Sequence, residues 1–267
     1  MERSHREING SWLEVLYCSR ALRDKGSVTM HKEEPVPRAA ARAGLARAFG
    51  GAPATLCFAA LSVAVYLALV SSSGGPRAPI SGRMALRWGA LAGDLGWSEP
   101  WRQLSAIFVH FGLLHIGFNV LALVSFGRVL ERVLGSARFT VLLLTTGALG
   151  FVASDVWYVL FPPAQITGGL SGGIFGLLGA EVGLRFAAGD AGWKRAAVSG
   201  AGYAVMMGLI PGQNVNNAAH VGGLLSGVLI GWALSHVAGR AHERLFNVVA
   251  LVLGAATLGA IALCRWG

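Results

Sequence analysis

Residues 168–187 read GGLSGGIFGLLGAEVGLRFA, the pattern of a glycine-rich helix long enough to span a membrane. From Ser171 to Ala187 it is apolar apart from Ser171, Glu181 and Arg185. A run of about 17 residues crosses roughly 30 Å of hydrocarbon as a helix. Gly172, Gly176 and Gly179 recur at helical intervals and let a second backbone come close. Glu181 and Arg185 stand four residues apart and pair along one face. Glu181 lies about 15 Å below Ser171, near the inner side, and reads as structural. A serine opening a helix is ordinarily an N-cap. Whether Ser171 is more than that depends on what shares its depth elsewhere in the chain.

Six further segments carry the same character: 53–72, 113–130, 138–161, 195–211, 219–236 and 245–264. They show no two-residue alternation and are longer than barrel strands, so they are helices. Of the 267 residues, 54% are hydrophobic and 13% charged, against about 25% charged in a soluble domain. Too little charge is left to cover a soluble surface. The composition excludes a soluble enzyme and a disordered chain, and implies a multi-pass integral membrane protein of all-α class. Gly223 and Gly227 repeat the small-residue spacing in the segment at 219–236.

The net charge of +9 is distributed by topology. Residues 1–52 hold Arg3, Arg6, Arg20, Arg23, Lys25, Lys32, Arg38, Arg42 and Arg47, and read as a poorly ordered basic cytoplasmic tail, with Met30 an alternative start. With the N-terminus inside, the inner loops receive Arg128, Arg132, Arg138, Arg185, Lys194, Arg195, Arg240 and Arg244. The outer side receives Arg77, Arg83, Arg87, Arg102 and Arg265. That asymmetry gives an N-in, C-out chain with seven spans. The long outer connection at 73–112 contains Trp88, Trp97 and Trp101, as expected of a segment lying in the membrane interface. No zinc-finger spacing or aromatic-interleaved basic patch points to nucleic acid. Cys18, Cys57 and Cys264 are far apart, which excludes a disulfide framework and a thiolate metal site.

Polar residues inside spans are functional candidates because hydrocarbon leaves them unsatisfied. His110-Phe-Gly-Leu-Leu-His115-Ile-Gly-Phe-Asn119 places His115 and Asn119 on one helix face, and Asn216-Asn217-Ala-Ala-His220 opens the sixth span. Spans two, four and six all run from outside to inside. His115, Asn119, Ser171 and His220 therefore lie at similar depth, a turn or so below the outer surface. A serine, a histidine and two donors at one level can make a nucleophile, a base and an oxyanion site. No Asp or Glu lies at that level in these three spans, so a Ser-His dyad is expected. Ser125 and Ser226 lie mid-span and should bond back to their own helices.

The stretches HFGLLHIGFN, GGLSGGIFG and NNAAHVGG resemble, in order and spacing, the three motifs of rhomboid intramembrane serine proteases. Trp101-Arg102 and Glu131-Arg132 also resemble family positions, and the match covers roughly residues 101–232. The resemblance implies a six-helix protease core at 53–236, with 237–267 adding a C-terminal seventh span. It implies Ser171 as nucleophile, His220 as general base and acid, and His115 and Asn119 as oxyanion donors beside the Ser171 N–H. His110 would support the site, and Gly169 and Gly172 would let a substrate backbone approach. Gly223 and Gly227 would pack the sixth helix on the fourth. Where the family often has Tyr, Phe175 keeps the ring that stacks on His220 but lacks the hydroxyl; Asn217 would help orient the histidine. Glu131, beside Arg102 or Arg132, reads as structural.

The implied activity is a serine endopeptidase cutting substrates that carry a transmembrane helix near its outer end. It would need no metal or other cofactor, with only such proteins and membrane lipid as partners. The implied location is the bacterial cytoplasmic (inner) membrane. Other protease classes lack their residues: there is no HExxH, and Asp155 is the only membrane aspartate available. A transporter would want charges along a path or an inverted repeat. The alternative is a non-catalytic relative that binds or escorts membrane proteins; such relatives lose the Ser or the His, and this chain keeps both.

Overall fold

The computed structural model describes residues 51–266 apart from Asp94, 209–214, 238 and 239. The expected basic tail and most of the turn before the sixth span lie outside the described residues. The helices are α1 (Pro53–Ser72), α2 (Gly82–Arg87), α3 (Leu95–Ser98), α4 (Arg102–Ser105), α5 (Leu113–Ala122), α6 (Arg128–Leu134), α7 (Ser136–Leu160), α8 (Ser171–Ala187), α9 (Trp193–Gly208), α10 (Asn217–Ser235) and α11 (Arg240–Trp266). A π-helical turn at Leu123–Gly127 joins α5 to α6, so Leu113–Leu134 is one continuous rod. Among the described residues there is no strand, only a single bridge between Leu91 and Thr167. In their described residues all seven expected segments are helical, and the protein is an all-α polytopic membrane protein. Among the described residues, five helices are long and apolar enough to cross a bilayer by length and composition. α8 and α9 are shorter, at 17 and 16 residues.

α8 is the centre. Most of it is buried, including Ile174, Phe175, Leu177 and Leu178, and α7, α9 and α10 sheathe it. A helix enclosed by other helices need not match the full hydrocarbon thickness. Its tightest neighbour is α10, and glycine makes that possible from both sides. A methyl on Gly223 would fall on the Gly172 carbonyl, one on Gly227 on the Gly176 carbonyl, and one on Gly231 on the Ala180 carbonyl. In return, a methyl on Gly179 or Gly183 would strike the Leu224 or Val228 carbonyl. The two backbones touch along more than two turns, a contact that dispersion rewards in lipid.

The polar anchors differ in part from expectation. Glu131 is structural, as the sequence suggested, but through partners the sequence did not name. Its carboxylate caps α1, accepting from the backbone N–H of Ala54 (2.9 Å) and Thr55 (2.8 Å) and from Thr55 Oγ1 (2.7 Å), and it also accepts from Ser136 Oγ (2.6 Å). The first N–H groups of a helix need such an acceptor, and Pro53 at the first position removes one of them. Arg102 instead braces the outer connection, donating to Glu99 Oε2 at 2.8 Å and to the carbonyls of Leu86 (2.7 Å) and Ala90 (3.0 Å). Trp97 and Trp101 are exposed, whereas Trp88 is buried. Arg185 pairs with Glu181 at 2.9 Å as expected, and also with Asp190 at 2.7 Å. Ser125 and Ser226 do bond back to Leu121 and Gly223. α11 lies against α7, tied by Arg138 to Glu243 at 2.8 Å.

Candidate active site

The segment leading to Ser171 is held by main-chain bonds that its glycines permit. Thr167 exchanges N–H···O bonds with Leu91 (2.7 and 2.9 Å), and the Gly169 N–H donates to the Ala106 carbonyl at 2.8 Å. Gly169 sits at φ +126°, a backbone region that disfavours any residue with a Cβ. The N-cap position of α8 is Leu170, so Ser171 is already the first helical residue and its hydroxyl caps nothing. Ser171 Oγ instead meets His220 Nε2 at 2.8 Å.

His220 lies in the first turn of α10, buried, and its ring stacks on Phe175 with centroids 4.3 Å apart and planes 24° apart. Tyr203 from α9 packs on the same phenylalanine at 5.5 Å. The stack expected of Phe175 is therefore present, and Tyr203 is a neighbour the sequence reading missed. No local pattern ties α9 to α8 at that point.

His115 approaches from α5. Its Nε2 fills the space beside Gly169, where a Cβ would come within 2.7 Å of it. Its Nδ1 accepts a long bond, 3.5 Å, from the Phe111 N–H. A neutral ring accepting at Nδ1 carries its proton on Nε2, the nitrogen that faces the Ser171 segment. Asn119 is buried, one turn below. Its Nδ2 donates to the His115 carbonyl at 2.8 Å, and its Oδ1 is buried without a partner. One amide hydrogen is thus spent on its own helix and the second is left. The first N–H groups of α8, including that of Ser171, lack acceptors within the helix as at any helix start.

His110 is fully buried between these pieces. Its Nδ1–H donates to the Phe108 carbonyl at 3.0 Å, and its Nε2 accepts from the Leu170 N–H at 3.4 Å. Burial first, and then the adjacent His115, lower its pKa to about 3 against the opposing pull of the Phe108 bond, so it is neutral. Its ring stands edge-on to His115 at 5.0 Å. It thereby links the two residues that flank the serine segment.

Gly169 and Gly172 also meet parts of this chain. His115 occupies the space beside the first, and Ala219 and Gly147 lie in ordinary contact range of a Cβ on the second. Asn217 is exposed, and it is Asn216 that makes the site contacts. Asn216 bonds to Ser154, to Thr167 and to the Ala219 N–H. Two adjacent asparagines gave the sequence no means to choose between them, although an Asn just before an apolar run is a recognisable N-cap signal.

The rhomboid domain family model matches residues 98–237, just over half of the chain. The chain is 31% identical over 208 residues to rhomboid protease GluP of Bacillus subtilis, covering 74% of this chain and 38% of that protein. It is 32% identical over 155 residues to rhomboid protease GlpG of Serratia proteamaculans, covering 55% of this chain and 51% of that one. It is 30% identical over 153 residues to rhomboid-type serine protease 2 of Emericella nidulans, covering 55% of this chain and 29% of that one. In each case the aligned part spans less than two thirds of the relative's length. The matched stretch takes in all three polar motifs and the helices that bring them together, so this chain belongs to the rhomboid family.

Proposed function

We propose that the chain is an intramembrane serine endopeptidase working through a Ser171–His220 dyad on proteins that carry a transmembrane helix. One observation carries the reading: the 2.8 Å contact between Ser171 Oγ and His220 Nε2, made across two helices inside an apolar bundle. A serine hydroxyl is a weak nucleophile until a base at hydrogen-bond distance can take its proton. As Oγ bonds to the substrate carbonyl carbon, its proton passes to His220 Nε2 and the carbonyl electrons become an oxyanion. The Ser171 N–H, His115 Nε2–H and the remaining Asn119 Nδ2–H are the donors for that charge, and fixed donors in a water-poor site stabilise it without reorganising. Collapse of the intermediate breaks the C–N bond, and the amine leaves with the proton from His220. Water then repeats the sequence on the acyl-enzyme. The stack on Phe175 holds the imidazole edge toward Ser171 through both halves.

The same reading covers the rest of the chain. Residues 53–236 form the protease core, 237–267 add a further membrane helix, and 1–52 are a cytoplasmic basic tail. The protein resides in a bacterial inner membrane with its N-terminus inside, and cutting occurs near the outer face. The test is covalent labelling by a fluorophosphonate in detergent, read alongside cleavage of a model transmembrane substrate. Wild type should be labelled at Ser171 and should cleave; Ser171→Ala should do neither while folding normally. A Ser171→Ala protein that kept its full cellular effect would favour a non-catalytic role of binding or escorting membrane proteins.

A further inference from the structure

We infer that Asn216 is a positioning residue that sets the register between the serine and histidine segments, an inference that rests on the dyad reading above. Three bonds leave its side chain, each to a different part of the site. Oδ1 accepts from the Ala219 N–H at 3.0 Å and so caps α10, the helix that carries His220. Nδ2 donates to Thr167 Oγ1 at 2.9 Å, in the segment that leads to Ser171. Nδ2 also donates to Ser154 Oγ at 2.6 Å, on α7. Ser154 and Thr167 are both buried. An Asn amide has two acceptor lone pairs and two donor hydrogens, so both hydrogens are used.

The spacing gives the arrangement its meaning. Thr167 lies four residues before Ser171, and Asn216 lies four residues before His220. The side-chain bond between Thr167 and Asn216 closes one end of a ring, and the bond between Ser171 and His220 closes the other. Neither segment can slide along the other without breaking the first bond, because Thr167 is also locked to Leu91 through two main-chain bonds. The bond to Ser154 refers the ring to α7. The glycine seam between α8 and α10 holds the two helices at contact distance. It does not by itself fix how far the loop ends shift along the helix axes. Asn216 supplies that missing restraint.

Replacing Asn216 should therefore act on the chemical step. Misplacing reacting groups by about 1 Å costs on the order of 100-fold. We expect Asn216→Ala to lower kcat by roughly 10- to 100-fold with KM within about threefold. The rate of fluorophosphonate labelling at Ser171 should fall in parallel. Asn216→Asp keeps the cap oxygen, and both hydroxyls can turn to donate to its other oxygen, so it should restore most of kcat. Thr167→Val removes only the limb toward the serine and leaves the cap of α10 intact. It should lower kcat without lowering the melting temperature as much as Asn216→Ala does. The double variant Asn216→Ala/Thr167→Val should be no slower than Asn216→Ala alone, since both break the same bond. If Asn216→Ala keeps wild-type kcat per folded molecule, or if the two losses multiply, the inference is overturned. Should Asn216→Ala fail to fold, Thr167→Val decides: wild-type kcat there also overturns it. A wild-type protein that neither cleaves nor is labelled would refute the protease reading itself, and is told apart by that control.

Discussion

Gly223→Ala probes the seam beneath the dyad. Gly223 follows His220 by three residues, and the carbonyl its methyl would strike belongs to Gly172, the neighbour of Ser171. The added carbon would also lie 2.9 Å from the Gly172 carbonyl carbon and 3.3 Å from its Cα. Backbone cannot step aside as a side-chain tip can. For the methyl to reach ordinary contact distance, the helices must part by roughly 1 Å or more. That separation takes a 2.8 Å contact to about 3.8 Å, beyond hydrogen-bond reach. The expected consequence is a loss of roughly 100-fold in kcat, with overpacking costing about 1–3 kcal/mol of stability. Gly227→Ala and Gly231→Ala make equivalent backbone clashes one and two turns further from His220. They should destabilise by similar amounts while lowering kcat progressively less, because α10 can pivot about its far end. Gly254→Ala is the control: nothing lies within 4 Å of its added carbon, and alanine gains about 0.5–1 kcal/mol in a helix interior. The assay is kcat on a model transmembrane substrate per labelled molecule, with melting temperature measured in the same detergent. If Gly223→Ala showed a normal melting temperature and kcat within threefold of wild type, the backbone seam would not position the histidine.

Three further outcomes can be measured. His115→Ala and Asn119→Ala should each lower kcat more than they raise KM, by less than the 100- to 1000-fold seen on removing a single oxyanion donor elsewhere, with the double variant well below either. A melting-temperature loss at normal turnover would make Asn119 a packing residue. His110 has a folded pKa of about 3, below the ordinary 6.5. The native state therefore binds fewer protons than the unfolded chain, and stability is full above pH 6.5 and falls as pH drops below it, by up to about 1.4 kcal/mol per unit. His110→Asn should flatten that slope in thermal melts between pH 6.5 and 4, and an unchanged slope would assign it to other groups. Reporter fusions after residue 50 should read cytoplasmic and after residue 267 external; a cytoplasmic C-terminus would refute the seven-span orientation.

What the sequence made legible was what local spacing encodes. Glu181 and Arg185 are one turn apart, so their pairing needs only the helix. The helix starts at Ser171 and near His220, and the shared depth of the two residues, came from span lengths and alternating direction. The seam was half visible: Gly223 and Gly227 declared a close contact, but the answering role of Gly183 and the addition of Gly231 needed the partner helix. The bonds of Glu131 were out of reach, because its partners Ala54 and Thr55 lie more than 70 residues away and no pattern couples them. The bonds of Arg102 were out of reach for a related reason. Its two carbonyl partners are main-chain atoms of Leu86 and Ala90, and any residue type supplies a carbonyl.

The case of Asn216 and Asn217 shows where such reading ends. The two residues are chemically identical, and both precede an apolar run that starts with His220 in its first turn. Successive residues at a helix start point roughly 100° apart, so only one can face Ser154 and Thr167. Which one does is set by where α10 begins, and the cap itself defines that beginning. The choice is therefore circular at the level of sequence and resolved only by packing: the first asparagine finds three buried partners and the second finds solvent. A site built on helix ends has this property throughout. Ser171, His220 and His115 all stand within the first turn of their helices. Their geometry is thus governed by loop bonds of Thr167, Gly169, His110 and Asn216 as much as by the bundle. Those loop bonds are the part that residue periodicity cannot carry.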